Sequence, residues 1–399
     1  MKDLDYASDL KKARFTREWL SVLSLSFGTF ALVTSELMPI GLLPKISASL
    51  GIASGAAGMT ITIPGLVAAF AAPALIAFSK HLDRRMLLWI TSVMLIVSDL
   101  LVASTGNTAT LLAGRSLLGV SIGGFWAVGA ATATRLVDPG LAGRATAVVF
   151  AGISAGTVIG LPAGTLLGEW LGWRLAFVGA AGVGGLSLVM QVLLLPRLAP
   201  TRVAGLAQFP AFLRVRQART GLAAAALVIT GHFMAYTFVS SFLLQYARVA
   251  SGTVSVVLMA YGVAGLIGNS IAGELLQRDV RRTLLGIGLL LAACILLIAE
   301  SGFAPPVKIA LVVIWGLAFG GVPVTLQSWI FKAAPDLGEG GSALFVSTFQ
   351  LAIAAGALLG GAILDVAGLR RSMTWGAVAV FAMVAVVAIA GKSIKSRQT

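Results

Sequence analysis

Apolar residues run through this chain in stretches of about twenty, the length that carries a helix across a bilayer, with short polar segments between them. The pattern predicts twelve spans: 19–43, 57–78, 86–104, 110–135, 146–168, 175–195, 221–244, 253–276, 284–300, 308–331, 341–364 and 374–391. Residues 1–18 are too charged for the apolar region of a signal peptide and the run after them is too long, so 19–43 reads as an uncleaved first span. Segment 196–220 carries Pro196, Pro200 and Pro210 among its arginines and holds no run long enough to cross. The expected fold is an all-α membrane protein with twelve transmembrane helices in two pseudo-symmetric six-helix bundles. Its expected divisions are a cytoplasmic segment 1–18, a first bundle 19–195, a cytoplasmic linker 196–220, a second bundle 221–391 and a cytoplasmic tail 392–399.

An internal repeat supports the two bundles. Shifting the sequence by 197 lays Gly119, Gly123 and Gly124 on Gly316, Gly320 and Gly321, and Arg84-Arg85 on Arg281-Arg282. Further on, an offset of 196 lays Gly160 and Gly164 on Gly356 and Gly360, and Gly172-Trp173-Arg174 on Gly368-Leu369-Arg370. Several matches in order argue for a duplicated six-helix unit. Parallel repeats with a site near the bilayer midplane between them are an architecture of alternating-access transporters.

The stretch 151–168, AGISAGTVIGLPAGTLLG, places Gly152, Gly156, Gly160, Gly164 and Gly168 every four residues, along one narrow stripe of a helix. In water each would cost about 1 kcal/mol against alanine. In lipid the stripe lets a second helix approach backbone to backbone, and Pro162 is tolerable where neighbouring helices re-satisfy the freed carbonyl.

Composition agrees with a polytopic membrane protein: 58% of residues are hydrophobic and 11% charged, where soluble proteins carry about a quarter charged. The net charge of +14 does not indicate a nucleic-acid partner, because the basic residues lie between apolar spans rather than on one soluble module. With both termini in the cytoplasm, only Lys45, Arg174, Arg248, Lys308, Arg370 and Arg371 of the 29 Lys and Arg fall outside, and Arg115 lies within a span. That bias favours cytoplasmic termini. Cys294 is the lone cysteine and His81 and His232 the only histidines, so no intramolecular disulfide, metal site or cofactor is expected.

Five segments carry a family resemblance: SELMPIGLLP (35–44), GRSLLGVSIGGFWA (114–127), LGEWLGWR (167–174), GHFMAYTF (231–238) and IWGLAFGGVPV (314–324). With the span-5 order G-x-x-x-G-x-x-x-G-L-P-A-G, they make nearly the whole chain resemble major facilitator superfamily exporters of the drug:proton antiporter type with twelve spans. Within that group the resemblance is to purine ribonucleoside efflux pumps and their sugar-efflux relatives. It implies that Gly152, Gly156, Gly160, Pro162 and Gly164 form the antiporter motif of span 5. The loop GELLQRDVRR resembles the family's G-x-x-x-(D/N)-R-x-x-R-R gate motif at Gly273, Arg278, Arg281 and Arg282, with Gln277 departing from it. Its counterpart SKHLDRR keeps Asp83, Arg84 and Arg85 but lacks the opening glycine. Such loops either clamp helix ends and carboxylates of the opposite half in one state or hold orientation alone.

Ionisable residues inside a membrane are functional candidates, since even lenient scales charge about 2.5–3.5 kcal/mol for a central one. Here they are Glu36, Asp99, Arg115 and His232. Glu36 sits roughly 10 Å from the outer end of its span, and Asp99 and Arg115 roughly 8 Å from theirs, at 1.5 Å per residue. All three could share one cavity. By resemblance, Arg115 with Gly119 and Gly123 matches the fourth-span motif R-x-x-x-G-x-x-x-G implicated in proton coupling, and Glu36 matches the first-span acid. Glu36 is the expected proton carrier; the alternative is a static Glu36–Arg115 ion pair joining spans 1 and 4. Asp99 is either a coupling residue or a solvated interfacial carboxylate.

His232 and Tyr236, four apart on one face of span 7, would offer donors and acceptors to a polar substrate, or His232 is a satisfied packing residue. Phe125, Trp126, Gln327 and Gln350 are further cavity candidates, aromatic faces for stacking and amides for polar edges. No paired nucleophile and base suggests an enzyme, and every loop is too short for a receptor domain. The leading function is proton-coupled efflux of a small polar organic molecule, a nucleoside, sugar, siderophore or drug, across a bacterial inner membrane. A proton-independent facilitator or an importer is the alternative. The expected partners are substrate, protons and lipid, and a single chain holding both halves could work as a monomer.

Overall fold

The computed structural model describes residues 2–78, 82–138, 141–198, 208–276, 278–300, 302–334 and 338–390. The expected tail 392–399, linker residues 199–207, His81 and Gln277 lie outside the described residues.

Each of the twelve predicted runs is helical. Span 1 is one helix, Lys2–Leu50, that takes in residues expected to precede it as a polar segment. Spans 2, 3, 4 and 6 are Ser54–Phe78, Arg84–Ala103, Thr108–Arg135 and Trp173–Leu194. Spans 8, 9, 11 and 12 are Ser251–Leu275, Val280–Glu300, Gly338–Ala367 and Leu369–Ala390. The described part of segment 196–220 holds a short helix, Gln208–Arg214, and the first turn of span 7, which starts at Arg216. Among the described residues, 11 helices are long and apolar enough to cross a membrane. The twelfth, Thr108–Arg135, has the length but carries Arg115, Ser116, Ser121 and several threonines.

Three spans are interrupted. Span 5 runs Ala142–Ala155, widens to a π-helix over Gly156–Gly160 and continues as Leu161–Trp170. Pro162 explains the widening: it has no N–H to donate and its ring crowds the carbonyl four residues back, which one wide turn relieves. Span 10 breaks at Gly321 between Pro305–Gly320 and Val322–Ala333, whose second residue is Pro323. Span 7 breaks between Arg216–Tyr236 and Val239–Gln245. Asp83 caps span 3 by accepting from the Arg85 N–H at 3.0 Å, and Asn107 caps span 4 by accepting from Thr110 at 2.9 Å. Gly172 and Gly368, an offset of 196 apart, turn the chain into spans 6 and 12 with φ of 89° and 84°, a region open to glycine.

The repeat seen in the sequence recurs in the packing. Gly119 and Gly123 of span 4 press on the backbone of Pro64 and Ala68 in span 2, while Gly316 and Gly320 of span 10 press on Tyr261 and Gly265 in span 8. Both partners of each pair are displaced by 197. Gly160 and Gly164 lie against Thr34 and Met38 of span 1, and Gly356 and Gly360 against Thr230 and Met234 of span 7, each displaced by 196. The apolar core divides along the same lines. Two clusters draw only on residues 22–198, and the largest draws mainly on 212–387 with Ile40, Leu43, Ala57, Ile61 and Leu161 joining it.

With twelve spans the chain ends share one face, and the other is here called distal. Basic residues near the distal ends of spans 1, 6, 10 and 12 tie down the carboxyl ends of other helices, whose carbonyls lack partners within the helix. Lys45 donates to Gly168 O (2.8 Å), Arg174 to Thr105 O (2.9 Å), Lys308 to Tyr246 O (3.1 Å) and Arg370 to Ala299 O (2.8 Å). These are the ends of spans 5, 3, 7 and 9.

Candidate functional site

Arg115 organises the buried polar centre of the first bundle. Its guanidinium donates to three backbone carbonyls: Nε to Thr60 O at 2.6 Å, one Nη to Ser35 O at 3.0 Å and the other to Glu36 O at 3.0 Å. Spans 1, 2 and 4 are thus joined through one fully buried side chain. The geometry differs from the carboxylate ion pair considered above, since the atom of Glu36 that Arg115 engages is the carbonyl. The Glu36 carboxylate is left for other work.

Asp99 is buried and not solvated: Ser35 donates its hydroxyl to Asp99 Oδ1 at 2.5 Å. Among the described residues Asp99 Oδ2 has no hydrogen-bond partner. Glu36 and Ser35, adjacent in sequence, therefore reach different elements, Ser35 toward span 3 and Glu36 toward span 11. There Gln350 Nε2 lies 3.4 Å from Glu36 Oε1, a long hydrogen bond between residues 314 apart. The amide oxygen of Gln350 is buried without a partner among the described residues.

That bridge is one of several contacts between the bundles toward the distal face. The Gly55 N–H donates to Asp365 Oδ1 at 3.0 Å and Ser240 Oγ to Ile40 O at 2.7 Å. Gly361 presses on the backbone of Gly55, Gly58 on Phe238 and Gly262 on Val158. Spans 1, 2 and 5 of one bundle meet spans 7, 8 and 11 of the other, with glycine on both sides at Gly55 and Gly361.

The glycine stripe of span 5 packs on the helix that carries Glu36. Gly152 sits against Ser26 and Thr29, Gly156 against Val33, Gly160 against Thr34, Gly164 against Met38 and Gly168 against Leu42. Pro162 is buried in the same seam, just beyond the π-helix.

In the second bundle His232 and Tyr236 stack at 4.9 Å between ring centroids. Trp315 donates its indole N–H to His232 Nδ1 at 3.0 Å, and Tyr261 stacks on Tyr236 at 4.7 Å. The remaining candidates are dispersed. Phe125 is buried within the first bundle against Gly28 and Gly129. Trp126 stacks on Phe150 at 5.7 Å, and Gln327 is half-buried in the second segment of span 10. Ser35, Thr60, Tyr261 and Trp315 were not singled out from sequence. Trp315 and Phe319 do stand four apart on one helix face, and Tyr261 is one of 4 tyrosines in the chain, signals that an aromatic count would have caught.

The basic loops make contacts within their own bundles. Asp83 accepts from Leu198 N at 3.1 Å, Arg84 N donates to Leu198 O at 2.9 Å and Arg85 reaches Asp83 at 3.3 Å. Arg281 donates to Ala388 O (2.6 Å) and Val387 O (3.3 Å) at the end of span 12. The Arg282 N–H donates to Asp279 at 3.0 Å, Arg278 is exposed, and a side chain built at Gly273 would meet open space.

The chain's relatives accord with this architecture. It is 36% identical over 358 residues to the transcription regulatory protein OpdE of Pseudomonas aeruginosa, covering 89% of each chain. It is 33% identical over 356 residues to the purine ribonucleoside efflux pump NepI of Escherichia coli, covering 89% of this chain and 90% of that one. A crystal structure of a bacterial homologue of the human lysosomal transporter Spinster, inward-facing and unoccupied, superposes with a TM-score of 0.76 at 14% identity over 94% of this chain and 97% of the other. The family model of the Major Facilitator Superfamily matches residues 25–346. The chain is a multi-pass, all-α membrane transporter rather than an enzyme, and it belongs to the major facilitator superfamily.

Proposed function

We propose that this transporter exports a small polar organic molecule from the bacterial cytoplasm in exchange for protons, with Glu36 as the proton carrier. The observation that carries this reading is the division of labour around Arg115. Three N–H groups of the guanidinium go to carbonyls, and among the described residues the buried Glu36 carboxyl makes no ion pair with it but meets the other bundle through Gln350. An apolar cavity favours a neutral acid and a nearby guanidinium favours the carboxylate. A rocking motion that changes the surroundings of Glu36 would then load and release a proton. Asp99, held by Ser35, and Arg115 act in the same exchange by fixing the position of span 1.

The moving bodies are bundles 19–195 and 221–391, joined by the cytoplasmic linker 196–220, with both termini in the cytoplasm and the chain acting as a monomer. The contacts toward the distal face are the closed gate, and the basic loops around Asp83, Arg84, Arg85, Gly273, Arg278, Arg281 and Arg282 belong to the cytoplasmic one. The antiporter motif residues Gly152, Gly156, Gly160, Pro162 and Gly164 let span 5 slide on span 1. Substrate is held between the bundles by His232, Tyr236, Gln327 and Gln350, with Trp126 at the rim. A nucleoside accords with the name of the Escherichia coli relative.

The test is uptake into everted vesicles with an imposed pH gradient, using labelled inosine, arabinose, a siderophore and chloramphenicol. Accumulation of one compound that collapses with the gradient, and in Glu36→Gln, is the expected result. Accumulation by the Glu36→Gln variant that still follows the gradient would remove Glu36 as carrier.

A further inference from the structure

Seven polar atoms of the second bundle are buried with no hydrogen-bond partner among the described residues: the amide oxygen of Gln350, His232 Nε2 and the hydroxyls of Tyr236, Thr237, Ser241, Ser255 and Tyr261. Buried polar groups are normally paired, and a cluster of exceptions calls for something that completes it. Three of the seven belong to rings in one stack, His232 on Tyr236 at 4.9 Å and Tyr236 on Tyr261 at 4.7 Å. Phe319 closes the far side of His232, and Trp315 stands edge-on to all three rings. Tyr261 and Trp315 each lie ten residues into a span from its distal start, about 15 Å deep at 1.5 Å per residue, near the bilayer midplane.

The hydrogen-bonding state of His232 follows from its neighbour. An indole N–H can only donate, and it lies 3.0 Å from His232 Nδ1. Nδ1 therefore holds a lone pair, the ring is neutral and its one N–H is at Nε2, the atom without a partner. The internal repeat gives this position a meaning. The offset of 196 that lays Gly164 on Gly360 and Met38 on Met234 also lays Glu36 on His232. Gly164 packs on Met38 and Gly360 on Met234, so the two residues occupy matching places in the two bundles. One bundle presents a carboxyl there and the other an N–H donor.

We propose that His232 Nε2–H and the hydroxyls of Tyr236 and Tyr261 form a donor pocket that reads carbonyl or ring-nitrogen acceptors of a ring-shaped substrate, and that Trp315 is its positioning residue, holding His232 in the Nε2–H tautomer. The pocket rests on the transport reading for its occupant but not for its chemistry. The stacked rings hold one another in a rigid apolar frame, and the three donors at their edges fix the orientation of what binds there.

The chain's 2 histidines make the test direct. In His81→Gln protein labelled with [15N]histidine and reconstituted in lipid, the remaining imidazole is that of His232. Its nitrogen spectrum should report the Nε2–H tautomer, and Trp315→Phe should give a mixture. Arabinose, whose ring form carries neither acceptor, should leave the Nε2 resonance unmoved, whereas addition of inosine or chloramphenicol, which carry such acceptors, should shift it for at least one of them. In vesicles, His232→Gln, which keeps a donor near the Nε2 position, should hold the KM of that compound within a few-fold. His232→Asn and Trp315→Phe should raise KM about tenfold with a smaller change in maximal rate. An Nδ1–H tautomer, an imidazolium, a resonance that arabinose moves, or one that neither inosine nor chloramphenicol moves would overturn the pocket. A shift on binding without any vesicle uptake would leave the pocket standing and remove the transport reading; uptake without a shift would do the reverse.

Discussion

Arg115 shows how a single side chain can hold a membrane bundle together without an ion pair. A guanidinium offers five N–H donors in a fixed fork, and here three bonds reach carbonyls of two other spans. Lysine has one nitrogen and cannot span the same carbonyls. Arg115→Lys should therefore lower transport by about tenfold or more, given roughly 1.5–3 kcal/mol for each hydrogen bond to a charged group, and the loss should appear in vesicle uptake without recovery at higher substrate. Glycines give a second test at the same scale. A Cβ at Gly160 would collide with Thr34, whereas one at Gly182 would meet nothing within 4 Å. Gly160→Leu should destabilise by about 1–3 kcal/mol through overpacking, and Gly182→Ala should be neutral or stabilise by up to about 1 kcal/mol. Thermal melting of the purified protein in detergent distinguishes the two. Glu36, Asp99 and Arg115 were legible in the sequence because charge inside an apolar run is costly. Their partners were not, since carbonyls at Ser35, Glu36 and Thr60 belong to the backbone and every residue has one.

Among the elements, span 5 couples local chemistry to motion. Its glycine stripe was legible from spacing of four, and the structure seats it along span 1 from Ser26 to Leu42. The π-helix at Gly156–Gly160 was not, although Pro162 announced that something had to give. A π-turn shifts the register of everything beyond it by about 100° relative to a continuous α-helix, so it decides which faces Gly164 and Thr165 present. Pro162→Ala removes the reason for the wide turn. The expected outcome is a protein that melts no lower than wild type but transports more slowly, because Gly164 leaves the face of Met38. Faster or unchanged uptake would mean that the π-turn has no part in transport.

For the whole molecule, the repeat was readable as glycines and arginines at offsets of 197 and 196, and the packing repeats it contact for contact at Pro64 and Tyr261, and at Met38 and Met234. Family and fold were therefore accessible from the sequence. The distribution of the substrate candidates was not: Phe125 is aromatic and mid-span like Tyr236, but only the packing tells that Phe125 closes on Gly28 and Gly129 while the buried Tyr236 hydroxyl has no partner among the described residues. The distal closure also emerges only in three dimensions, from Gly55 beside Asp365 and Ser240 beside Ile40. In a Cys294→Ser background, Gly55→Cys with Asp365→Cys should cross-link under oxidation and arrest transport, and reduction should restore it.

Proton exchange through Glu36 is the claim on which the rest depends, and it is measured most directly in proteoliposomes that hold purified protein and an internal pH dye. When the compound identified by vesicle uptake is applied on one side, wild type should move protons the opposite way in proportion to substrate. Glu36→Gln should exchange substrate across the membrane with no dye response. Proton movement that persists in Glu36→Gln, or substrate flux in wild type with no proton movement at all, would contradict the account.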